Sequence, residues 1–123
     1  MRRLLALLLV VGLTACGDEG PPPGPGSLVA SVVGPNGAEG AAVIHLLGDG
    51  VTAVRAAGGT EVFVREYDSR ARIVVVHPTG GDLTFEIDVQ DVTTPPSFVV
   101  DAVAAPDNSL RSDAAAYSVA VAR

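Results

Sequence analysis

The stretch that most narrows the fold is residues 83–89, where Leu83, Phe85, Ile87 and Val89 alternate with Thr84, Glu86 and Asp88. Successive side chains of a strand point to opposite faces, so this period of two makes one apolar face and one wet face. The pattern has weaker relatives throughout. From Leu28 onward, short apolar runs rich in β-branched Val are separated by Gly, Pro, Asn and Asp. Within that part of the chain no segment repeats apolar residues at i, i+3, i+4 and i+7 over three turns. The sequence therefore predicts an all-β fold, an antiparallel sandwich or barrel of about eight strands.

The expected strands are 28–33, 41–47, 51–56, 60–67, 71–77, 82–92, 98–105 and 114–122. The third, short and flanked by polar residues, reads as an edge. The fifth carries Ile73-Val74-Val75-Val76, apolar on both faces, and reads as central. Gly34-Pro35-Asn36-Gly37, Gly48-Asp49-Gly50, Pro78-Thr79-Gly80-Gly81 and Pro106-Asp107-Asn108-Ser109 carry turn chemistry. Ala114-Ala115-Ala116 admits a second reading, a helical turn capped from Ser112-Asp113. With no Trp and few aromatics, the core must be built of Val, Leu and Ala.

The start of the chain has a different grammar. Arg2 and Arg3 precede an apolar run over 4–13, too short for a membrane-spanning helix, which needs about 20 residues. Leu13-Thr14-Ala15-Cys16 follows. These residues, with the run before them, resemble the lipobox signal peptide of bacterial lipoproteins. The resemblance covers residues 1–16. It implies cleavage after Ala15 and a diacylglycerol and an N-acyl chain on Cys16, the lone cysteine. It also implies attachment to the cell envelope through membrane lipid. Gly17, in place of Asp, resembles outer-membrane-destined members. Apart from these chains, no cofactor is expected.

Three segments result: a signal peptide, expected to be helical, over 1–15; lipidated Cys16 with a disordered Pro/Gly tether over 16–27; and the sandwich over 28–123. Pro21-Pro22-Pro23 lacks ladder donors and favours an extended spacer. Loss of Arg2 and Arg3 would take the net charge from -6 to -8, and the chain has no Lys. Nucleic-acid binding relies on a basic patch to release counterions, and this balance argues against it.

The order of features over 28–121 resembles the cohesin and carbohydrate-binding-module type of sandwich, which implies a small Ig-like antiparallel β-sandwich of about eight strands. A Gly40-Ala41-Ala42 strand runs to an Asp49 turn, an L-x-F-x-I-x-V strand occupies 83–89, and the last strands follow an Asp107-Asn108 turn. That resemblance implies binding of a protein or a glycan, without catalysis.

Chemistry-bearing constellations are sparse. His45 and His77 lack the ligand spacing of a zinc site. Asp49, Asp107, Asn108 and Asp113 offer hard oxygens for calcium, yet Asp and Asn are also the ordinary turn residues. Glu86 and Asp88 share a strand face at a spacing that would suit a small hydrolase. The simpler expectation is a solvated face paired with Arg from a neighbouring strand. A glycan platform would show exposed Trp or Tyr; only Tyr67 and Tyr117 are present, and Tyr117 is expected to pack inward, which favours an envelope protein as partner.

Overall fold

The computed structural model describes residues 20, 22–67 and 70–123. Within them, alternation becomes two four-stranded antiparallel sheets. The strands are β1 (Gly26–Val33), β2 (Glu39–Leu47), β3 (Val51–Ala56), β4 (Glu61–Tyr67), β5 (Arg70–Gly81), β6 (Thr84–Val89), β7 (Ser97–Ala104) and β8 (Ser118–Ala122). The first sheet has the order β3-β6-β1-β8 and the second β4-β5-β2-β7. Expected leader positions Leu13, Thr14, Ala15 and Cys16 lie outside the described residues.

The inward rows form one core. Leu28, Ala30, Phe85, Ile87 and Val89 of the first sheet meet Ala42, Ile44, Leu46, Ile73, Val75 and Val103 of the second. Phe85 and Phe98 span the interface edge to face, with centroids 6.0 Å apart, a favoured aromatic geometry. Burying each of the larger side chains contributes about 1.5–3 kcal/mol. β3 is an edge and β5 is interior, as their patterns imply.

Several boundaries differ from the sequence reading. β1 takes in Gly26 and Ser27, assigned above to the tether, because they pair with Val89 and Asp88. Gly24 N–H also donates to Asp91 Oδ1 and Val92 N–H to the Gly24 carbonyl, so this end of the Pro/Gly segment is tied to the domain. β5 runs through Pro78 to Gly81. Its pairing jumps from Val76 opposite Ala41 to Gly81 opposite Glu39, and such an irregularity tolerates a proline without a ladder donor.

β6 ends at Val89, because the Asp91 carboxylate turns the chain by accepting the Thr93 N–H at 2.9 Å and its hydroxyl at 2.6 Å. Thr60 is buried outside β4, its hydroxyl 2.7 Å from the carbonyls of Ala57 and Thr84. Gly58 and Gly59, both at positive φ, make the turn it closes. Ala114–Ala116 is a 3-10 turn, and the last strand starts only at Ser118. The Asp113 side chain does not cap that turn.

Candidate functional site

Because Ala42, Ile44 and Leu46 face the core, β2 turns Ala41, Val43, His45 and Leu47 outward. Strand register then builds rows across the outer face of the second sheet. Phe63 pairs with Val74, Val74 with Val43, and Val43 with Ala102, giving an apolar row across all four strands. Arg65 pairs with Arg72 and Arg72 with His45, a row with two guanidinium groups beside it. Tyr67 and Arg70 form the next pair. Directly opposed side chains lie about 4.5–5.5 Å apart, so each row acts as one surface.

This face is open. Phe63 is 59 % exposed, Val99 51 % and Leu110 75 %. Leu110 bridges to Ala104 and walls an apolar hollow of about 110 Å³ over Ala41, Val43 and Ala102. The Arg65 guanidinium lies 5.2 Å from the Tyr67 ring centroid, a cation–π distance. Among the described residues, no carboxylate forms an ion pair with Arg65, Arg70 or Arg72. Like charges directly opposed destabilise a sheet, so the Arg65–Arg72 pair is a local cost. His45 Nε2 lies 3.6 Å from Asp101 Oδ2.

The outer face of the first sheet is quieter. Arg55 on β3 pairs with both Glu86 and Asp88 on β6. Its hydrogen bonds, with that of Ser27, hold the Asp88 carboxyl down to about 2. The two carboxylates weighed above as a hydrolytic pair thus share one guanidinium. His45 faces away from them on the opposite sheet, and His77 hydrogen-bonds Thr79.

The calcium candidates are dispersed. Asp49 sits in the β2–β3 turn, at the opposite end of β2 from Asp107, Asn108 and Asp113. Asp107 accepts the Ser109 N–H at 3.0 Å and its hydroxyl at 2.5 Å, which holds its carboxyl below the usual range. Asn108 stands at φ 68°, the left-handed conformation that asparagine tolerates in turns. Asp113 accepts from Asn36 Nδ2 at 3.2 Å. Among the described residues, no three His, Cys, Asp or Glu side chains gather as a metal site.

A second cavity, about 300 Å³, opens between β3 and β4, where Asp49, Glu66 and Arg70 rim a floor of Leu46, Val54 and Ala71. A partly buried polar cluster, centred on buried Glu39 and Tyr117, occupies the other end of the sandwich. Tyr117 Oη donates to Glu39 Oε1 at 2.8 Å and accepts from Asn36 Nδ2 at 2.7 Å, while Arg111 Nε donates to Glu39 Oε2 at 3.2 Å. Burial pushes the Tyr117 phenol upward. From sequence Asn36 reads only as a turn residue, and Glu39 and Arg111 carry no signal of their own. The usable signal was a tyrosine expected to pack inward, whose hydroxyl then needs a partner.

Comparison with protein families, characterised proteins and solved structures finds no match for this chain.

Proposed function

We propose that this chain is a lipid-anchored lipoprotein of the bacterial cell envelope, whose β-sandwich is a non-catalytic protein-binding module. The leader and Leu13-Thr14-Ala15-Cys16 support the anchor. One acyl chain binds a membrane marginally, whereas two or more hold stably, so the diacylglycerol and N-acyl chain on Cys16 do the anchoring. An outer-membrane destination follows from Gly17.

The observation that carries the binding role is the outer face of the second sheet. There a continuous apolar row runs from exposed Phe63 through Val74 and Val43 to Ala102, with exposed Val99 and Leu110 on the same sheet. Exposed contiguous apolar surface of this kind marks interaction sites. A photo-crosslinking amino acid at Val43 is expected to give one discrete protein adduct in intact cells. The same group at Ser31, on the outer face of the first sheet, is expected to give none. Equal labelling from both positions would refute the assignment.

A glycan reading keeps one specific observation in its favour: Phe63 and Tyr67 are exposed on the same face of β4. Retardation of the protein by soluble envelope polysaccharide, abolished by Phe63→Ala, would select that reading.

A further inference from the structure

Each sheet has two edges, and they are not alike. β3 carries an irregularity between Val51 and Ala53. Pairing along β7 is bulged at Asp101, and Leu110 bridges to its end. β8 contributes only five paired residues. By contrast, β4 pairs with β5 through seven consecutive residues with no irregularity. Its other side has no strand among the described residues. A long, regular edge is a ready template for another strand, and proteins usually blunt it with bulges, brevity or opposed charges.

The residues of β4 select what it can accept. Glu61, Phe63 and Arg65 stand on the outer face, with opposite charges placed symmetrically about an aromatic ring. We propose that β4 is the pairing edge of a homodimer, in which two copies align this strand antiparallel about a two-fold axis through Phe63. Each Glu61 then faces Arg65 of the second copy. Phe63 faces Phe63, and on the other face Val62 meets Val64. The second sheet grows from four strands to eight, and the two outer faces become one surface.

Other registers are worse. A two-fold axis perpendicular to the sheet keeps outer faces together, so only residues of like parity can oppose each other. Centring on Val64 sets Val62 against Glu66 and Phe63 against Arg65. Centring on Arg65 opposes two guanidinium groups. The Phe63 register alone brings opposite charges together twice. It also gives Arg65, which faces Arg72 within its own chain, a counter-charge that no described residue of that chain supplies. The same charges would repel a strand in the wrong register, which limits pairing to one copy.

The test uses the full chain with Cys16→Ser, so that any introduced cysteine is the only thiol. Sedimentation velocity is expected to show a species of twice the chain mass. Glu61→Arg is expected to halve that mass without altering the far-UV circular dichroism or melting of the monomer. Glu61→Arg with Arg65→Glu is expected to restore it. Phe63→Cys is expected to form a disulfide-linked dimer under mild oxidation, while Val64→Cys does not. A monomer at high micromolar concentration overturns the proposal. So does a dimer indifferent to Glu61→Arg, or equal crosslinking from positions 63 and 64. A monomer whose β4 instead binds an acidic peptide or a polysaccharide overturns it as well.

Discussion

Tyr117→Phe removes one oxygen and leaves the ring in place. The ring packs closely on the Gly34 backbone, where an added Cβ would come within 2.1 Å of it, so the substitution opens no large cavity. What is lost is the donor to Glu39 Oε1, 2.8 Å away, and the acceptor for Asn36 Nδ2. Glu39 is only 4 % exposed, so water cannot readily replace that donor. Arg111 remains on Oε2 alone. A hydrogen bond to a charged group contributes about 1.5–3 kcal/mol, and about 2 kcal/mol is the expected loss. A domain of this size shifts its melting point by about 4–8 °C per kcal/mol, so melting followed by circular dichroism should fall by roughly 8–16 °C. The double variant with Glu39→Gln should lose less than the two single losses combined, because both remove the same bond. A Tyr117→Phe melting point within about 2 °C of the parent, with additive losses, would refute this account of the cluster.

Phe85→Ala, at a fully buried site between the sheets, should cost about 3–5 kcal/mol in urea unfolding, whereas Phe63→Ala, compared within the monomeric Glu61→Arg variant, should stay within about 0.5 kcal/mol. Gly58→Ala, at φ 63° with an added Cβ 2.6 Å from Thr84 Oγ1, should destabilise by more than about 1 kcal/mol in the same assay. The Asp88 carboxyl titrates at about 2 in the folded chain against 3.8 ordinarily. Its folded value is depressed, so its stabilising contribution is present above pH 3.8 and lost as pH falls toward 2. Carboxyl NMR titration should show this, and Arg55→Ala should return the midpoint toward 3.8. The Tyr117 phenol is raised above 10 by burial, so its protonated form favours the fold below pH 10 and this contribution is lost as pH climbs through the raised value. Its phenolate absorbance should therefore emerge only above pH 10, together with unfolding.

The eight strands were legible because alternation is local: Leu83 to Val89 announces a half-buried strand without reference to any other part of the chain. Register is not local. Gly26 and Ser27 look like linker until Val89 and Asp88 claim them, and Pro78 looks like a stop until an irregularity opposite Glu39 and Ala41 accommodates it. The partners of Tyr117 were hidden for the same reason, since Glu39 lies 78 residues away in sequence. β4 hides its face differently. Both of its alternating sets, Val62-Val64 and Phe63-Tyr67, contain apolar residues, so nothing in the strand alone says which set faces solvent. Arg65 opposite Arg72 becomes visible only once β5 is aligned. The Asp and Asn residues weighed as calcium ligands are engaged in turn and side-chain hydrogen bonds at Asp107 and Asp113, as short polar residues in loops commonly are.

The most direct measurement is the mass of the amino-terminal tryptic peptide recovered from the membrane fraction. The chain has no Lys, and the first Arg after Cys16 is Arg55, so that peptide spans 16–55. The expected result is a peptide beginning at Cys16 and carrying a thioether-linked diacylglycerol with an additional amide-linked acyl chain. An unmodified Cys16, or a soluble product cut at another bond, would contradict the anchoring on which the proposed function stands.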